Sequence, residues 1–202
     1  NFRDALYLLH ERGKSMQSAV AVGKGSMLAV LGLEIEEIEK MIKEYNNKSG
    51  ICEIANDNSN GQVIISGEKN SVSDFQNLLK EKKIKSIPLK VSAPFHCTLM
   101  KKSAEYMSEK INKTIFKEPG FNIVSNVTAE PEKNPSKIKD LLIKQIYSTV
   151  KWRQSLLFMS KNGVQNYIEL GPGKVLTGMV KRTLKNVNCF SINSIADIKN
   201  LQ

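Results

Sequence analysis

Apolar positions recur along the chain at two different periods. Ala5, Leu8, Leu9 and Met16 return at roughly helical spacing, which predicts a helix over residues 4–17. Asn1 is its candidate N-cap, with Asp4 in the first turn and Gly23-Lys24-Gly25 closing the stretch. Residues 27–33 (MLAVLGL) form a strand-like apolar run. Residues 34–45 put Ile35, Ile38, Met41 and Ile42 on one helical face. A short strand is predicted at 52–55, a turn over the polar cluster 56–61 (NDNSNG), and a second strand at 62–66. Ser71 is placed as the cap of a helix running to residue 82 with Val72, Phe75, Leu78 and Leu79 inward, followed by a strand over 85–91.

That order, β-α-β-β-α-β, is the split βαβ arrangement of a ferredoxin-like unit spanning about residues 26–91. Downstream, helices are predicted at 99–112, 136–147, 152–161 and 174–184. Strands are predicted at 122–127, 166–170 and 189–192, with a proline-containing loop at 130–135. This strand–helix alternation is that of an α/β domain. The first helix must pack with this second set, so the small unit reads as an insertion. Residues 1–25 and 92–202 form the larger α/β domain, whose N-terminal part is expected to precede Asn1.

The 202 residues suffice to bury a core without disulfides or metal. No apolar run approaches the ~18 residues of a membrane span, and the first residues carry no secretory signal pattern. The net charge of +10 points to an acidic partner. However, the cations are overwhelmingly Lys, with only Arg3, Arg12, Arg153 and Arg182 as arginines, and aromatics make up 6%. Such a Lys-, Asn- and Ile-rich composition is that of an AT-rich genome and argues against a nucleic-acid surface. Attraction to an acidic protein stays open. Cys52, Cys97 and Cys189 are odd in number and widely spaced, so they read as free thiols. Two histidines, His10 and His96, are too few for a histidine-built metal site.

Four places could carry chemistry. Residues 171–178 (GPGKVLTG) lack the Lys-Ser/Thr pair of a phosphate loop and read as a glycine turn between strand and helix. His96, in VSAPFHCTLM (91–100), lies just past the strand that leaves the small unit, where two domains meet. It is a packing residue or a general base; its neighbour Cys97 does not by adjacency supply a nucleophile. No G-x-S-x-G elbow occurs in the chain. Arg12 is a solvated helix-end cation or a fork for a carboxylate. Gln145 alone would pass as a surface amide.

Together, RGKSMQ (12–17), MLAVLGL (27–33), IANDNSNGQVIISG (54–67), VSAPFHCTLM (91–100), SNV (125–127), KQIYSTVKW (144–152) and IELGPGKVLTGMVKR (168–182) resemble the malonyl-CoA:acyl carrier protein transacylases of bacterial type II fatty acid synthesis. The resemblance runs nearly end to end. It implies an α/β-hydrolase-like acyltransferase domain carrying a ferredoxin-like subdomain, in a cytoplasmic enzyme. It implies ping-pong transfer of malonyl from malonyl-CoA, through a serine ester, to the phosphopantetheine thiol of acyl carrier protein. No cofactor is implied, malonyl-CoA being a substrate. Acyl carrier protein is the implied acidic partner, without nucleic acid or membrane, and the complete enzyme is expected to be a monomer. His96 matches the histidine that activates the serine, Arg12 the arginine that binds the malonyl carboxylate, and Gln145 the glutamine whose backbone carbonyl orients the histidine. Asn58 and Ser92 are further candidates for lining the site. The departure is the nucleophile: the elbow serine is expected shortly before Asn1, which would leave this chain inactive by itself. The alternatives are a remnant that only binds acyl carrier protein or CoA, and the acyltransferase domain of a polyketide-type synthase.

Overall fold

The structure is a computed structural model that describes residues 1–46 and 50–199. It opens with α1 (Phe2–Ser18), whose Asn1 cap accepts the Asp4 backbone N–H at 2.9 Å. Then come β1 (Gly25–Leu31), α2 (Ile35–Asn46), β2 (Cys52–Ser59), β3 (Gln62–Glu68), α3 (Lys69–Glu81) and β4 (Ser86–Pro88). A 3-10 turn (Thr98–Met100) leads into α4 (Lys101–Lys113). The remainder is β5 (Ile123–Val124), β6 (Pro131–Glu132), α5 (Pro135–Gln145), β7 (Val150–Lys151), α6 (Trp152–Lys161), β8 (Asn166–Leu170), α7 (Val175–Thr183), β9 (Asn188–Ile192) and α8 (Ile195–Lys199).

The first four strands form an antiparallel sheet in the order β4-β1-β3-β2, and β7 adds to β2 in parallel at its edge. Order and directions are those the β-α-β-β-α-β pattern requires. One face carries Leu28, Val30, Cys52, Val63 and Ile65, buried against Ile38 and Ile42 of α2 and Val72, Phe75 and Leu79 of α3. The opposite face carries Met27, Ala29, Ala55 and Ile64 and packs against Leu89 and Phe95. The sheet is therefore covered by helices on one side and by the segment bearing His96 on the other.

Two local expectations are corrected. The polar cluster 56–61 is not all turn: β2 continues through Ser59, and only Asn60-Gly61 reverses the chain, Gly61 at φ +65°. Register shifts between Ile54 and Asn56 and between Asp57 and Ser59 mark bulges that accommodate Ala55 and Asn58. Asp57 is fully buried and receives Arg153 Nε at 2.9 and 3.0 Å, so a tertiary partner overrides its turn preference. Burial pushes the Asp57 carboxyl up, and Arg153 opposes that shift. The second correction is the start of α3, two residues ahead of Ser71; Ser71 sits buried inside the helix and its carbonyl accepts the Tyr45 hydroxyl.

The other elements pack as two satellites. Met16, Ala93, Met100, Ala104, Met107, Ile111 and Ile146 join α1, α4 and the end of α5. Leu156, Val180 and Leu184 join α6 and α7 beneath one side of the parallel β8–β9 pair. On the other side of that pair Ile168, Leu170 and Phe190 are exposed.

Gly25 sets the spacing between the small sheet and the His96 segment, because a Cβ there would overlap the Pro94 ring. A proline ring cannot rotate away, so relief requires the backbone to move. Gly25→Ala is expected to cost about 1–3 kcal/mol of stability, measured as a lowered urea midpoint at unchanged slope.

Candidate active site

His96 sits between β4 and the 3-10 turn in a left-handed conformation, φ +58°. For a residue other than glycine this costs about 1–3 kcal/mol and persists only where its surroundings enforce it. Those surroundings are on either side of it. Pro94 packs on Gly25, the Cys97 thiol donates to the Pro94 carbonyl at 3.1 Å, and Thr98 is held by Glu53 of β2. The buried Cys97 thiol is pushed up from its ordinary pKa by desolvation. It is thus bonded away from His96 and poorly ionised, and does not form a Cys–His pair.

The imidazole Nδ1 lies 2.8 Å from the backbone carbonyl of Gln145, the last residue of α5. A carbonyl only accepts, so the proton is on Nδ1 and Nε2 keeps its lone pair. Burial lowers the His96 pKa from its ordinary value; the Gln145 bond raises it and the nearby positive charge of Arg12 lowers it. At neutral pH the ring is therefore an uncharged base with one nitrogen available.

Arg12 lies three turns into α1, half-buried, and desolvation lowers its pKa. Two other arginines are engaged: Arg153 with Asp57, Arg182 with Gln62 at 3.2 Å. Among the described residues no carboxylate lies within ion-pair distance of Arg12. A half-buried guanidinium without an anionic partner among the described residues, within electrostatic reach of a neutral imidazole, can accept a carboxylate through two hydrogen bonds.

The fold thus joins His96 to Gln145 and brings Arg12 within electrostatic reach of His96, three residues far apart in sequence. Asn58 and Ser92 make none of these contacts: Asn58 is buried at the second bulge of β2, and Ser92 is exposed at the exit from the small unit. Sequence reasoning missed Glu53, which lies just outside the segment 54–67, and passed over Thr98 within the segment 91–100. Gly13-Lys14-Ser15 approaches a nucleophile-turn pattern, but Ser15 is buried within α1, bonded to the Arg12 carbonyl and the Ser103 hydroxyl. The loop 171–174 is the expected glycine turn. The backbone N–H groups of Leu176 and Thr177 at the start of α7 donate to Glu169, whose bonds, that from Thr177 foremost, hold its carboxyl below its usual range. A helix N-terminus already filled by a carboxylate offers no phosphate cradle.

The acyl transferase domain family matches residues 2–200. This chain belongs to that family. The malonyl CoA-acyl carrier protein transacylase of Bacillus subtilis (strain 168) is 36% identical over 194 residues, covering 96% of this chain and 61% of the relative. An acyl carrier protein S-malonyltransferase structure from Vibrio cholerae O1 superposes with a TM-score of 0.95 at 39% identity, covering 100% of this chain and 66% of that one. A malonyl-transacylase solved in complex with a type II polyketide synthase acyl-carrier protein superposes at 0.93 with 36% identity, covering 99% and 65%. The acyl transferase chain described here therefore spans less than two thirds of the length of these relatives. Among its described residues, no helix is long and apolar enough to cross a membrane.

A consequence of the geometry can be measured on this acyl transferase chain itself. The His96 ring is expected to titrate below pH 6.5, and Arg12→Gln is expected to raise its midpoint by removing the repulsion, both read by imidazole NMR. Because the folded pKa is depressed, protonation favours the unfolded chain. Stability is then expected to be intact above pH 6.5 and to fall as pH drops through the folded midpoint.

Proposed function

We propose that this chain supplies the base and the carboxylate receptor of a malonyltransferase. In the proposed reaction a serine, activated by His96, attacks the thioester of malonyl-CoA and holds malonyl as an ester. The phosphopantetheine thiol of acyl carrier protein then takes the malonyl group, supplying fatty acid elongation. His96 Nε2 removes the serine proton and returns it to the CoA thiolate as it leaves; in the second half it deprotonates the incoming thiol and passes that proton to the serine oxygen as the ester bond breaks. The Gln145 carbonyl keeps the ring in the tautomer this needs, and Arg12 binds the malonyl carboxylate. The observation that carries the reading is the 2.8 Å Nδ1–carbonyl contact, within electrostatic reach of an arginine that has no carboxylate partner among the described residues. Similarity to transacylases named for malonyl-CoA and acyl carrier protein supports the choice of substrates.

The same reading makes residues 26–91 a ferredoxin-like subdomain, with 1–25 and 92–202 as part of the larger α/β domain. It places the nucleophile outside these 202 residues, since no G-x-S-x-G turn occurs among them. The greater length of the relatives and the exposed apolar side of the β8–β9 pair support this placement. The complete enzyme would be a cytoplasmic monomer without a cofactor. Absence of a nucleophilic turn equally favours a second reading, in which the chain by itself only binds acyl carrier protein or CoA.

Radiolabelled malonyl-CoA tests both. A chain extended upstream is expected to become labelled on serine and the 202-residue chain is not; an extended chain that stays unlabelled would overturn the malonyltransferase reading. In the extended chain, His96→Ala is expected to abolish most serine acylation.

Arg12→Ala in that extended chain is expected to lose about 2–4 kcal/mol of transition-state stabilisation with malonyl-CoA and far less with acetyl-CoA. Equal losses on the two substrates would remove the carboxylate role. The net charge of +10 makes docking of an acidic carrier protein sensitive to salt. Transfer to acyl carrier protein is accordingly expected to slow as ionic strength rises, and a flat profile would leave the charge without a docking role.

A further inference from the structure

We propose that Glu53 is a positioning residue for His96, acting through Thr98. Its carboxylate accepts two bonds from one residue: the Thr98 backbone N–H at 2.8 Å and the Thr98 hydroxyl at 2.7 Å. Thr98 is two residues beyond His96, on the first turn of the 3-10 segment. Both bonds are charge-assisted and part-buried, and together they fix the segment in translation and rotation. Glu53 projects from the side of the small sheet opposite α2 and α3. It pairs with Ser66, which pairs with Met27, and Met27 packs on that side with Phe95.

The other half of the His96 contact is tied to the same strand. The Thr149 hydroxyl, four residues beyond Gln145, donates to the Ile54 carbonyl at 2.7 Å. Val150 and Lys151 pair with Asn56 and Asp57. Consecutive residues of β2 thus anchor the donor side, through Glu53, and the acceptor side, through Ile54, of the bond between Nδ1 and the Gln145 carbonyl. Glu53 holds the donor side against the left-handed backbone of His96, which would otherwise relax toward an ordinary conformation.

The proposal rests on the reading of His96 as the base, but its test does not require malonyl transfer. Long-range 15N NMR of the 202-residue chain reports directly which ring nitrogen carries the proton. Only two histidines are present, and His10→Gln assigns them. The native chain is expected to show His96 almost wholly protonated at Nδ1. Glu53→Ala is expected to lower the Nδ1–H to Nε2–H ratio about five- to tenfold, the scale of one lost hydrogen bond. Glu53→Gln is expected to restore it, since its amide carbonyl accepts the Thr98 N–H and its amide nitrogen donates to the hydroxyl. Should Glu53→Ala not fold, Thr98→Val removes the hydroxyl bond alone and is expected to shift the ratio in the same direction by less, with Thr98→Ser restoring it. An unchanged ratio in the folded Ala or Val variant overturns the proposal. Equal displacement by Glu53→Ala and Glu53→Gln also overturns it, because charge rather than tethering would then be the cause. If the tautomer responds as expected while an upstream-extended chain takes up no malonyl label, the positioning role stands and the transferase reading alone fails.

Discussion

One neutral hydrogen bond, from the imidazole of His96 to the backbone carbonyl of Gln145, is the constraint around which the two parts of the molecule are arranged. A carbonyl does not titrate, so it selects the same tautomer wherever the ring is uncharged. A carboxylate in that place would raise the basicity of the ring and hold it protonated to higher pH. Here burial and the charge of Arg12 push the other way, and the ring stays neutral. A neutral base with one free nitrogen can accept a proton without first having to lose one. Its lower basicity is the cost, offset by its full availability at working pH.

The small sheet makes that bond possible by using its two sides differently. Ile54 and Asp57 pair with Ile65 and Val63, both on the helix-covered side, although strict alternation would separate residues three apart. The bulge at Ala55 changes the parity. It leaves Glu53 facing the His96 segment and turns Asp57 to the other side, where Arg153 reaches it from α6, with Glu34 and Glu36 near the outer nitrogens at 3.8 and 3.9 Å. One extra residue in one strand thus sends two acidic side chains to two different tasks.

The periodicity of the sequence carried most of the element order, because the buried faces of α2 and α3 and the apolar strands alternate at undisturbed helical and extended spacing. It failed where partners distant in sequence decide the outcome. Asn56, Asp57 and Asn58 have turn-forming side chains, yet they lie in a strand held by β7 and Arg153. Two-residue β6 lies inside the segment read as a proline-containing loop and has no period to detect, although its partner β5 falls within the predicted strand 122–127. At the site, His96, Arg12 and Gln145 were legible through resemblance, while composition left each an ordinary residue. Glu53 was not legible at all, since its significance lies in a contact with Thr98, 45 residues downstream.

Arg12 and Arg153 separate what two arginines in a lysine-rich chain can mean. Arg153 meets a buried carboxylate, and removing either partner would strand the other's charge. Its role is complete within the protein. Arg12 is also partly desolvated, but no carboxylate of the described chain answers it. A lysine at that depth could shed its proton and so escape the cost; a guanidinium cannot. The charge is therefore kept at a steady expense to stability, near a base that burial first, and this charge second, keep neutral. A guanidinium held this way leaves its charge open to an anion brought from outside.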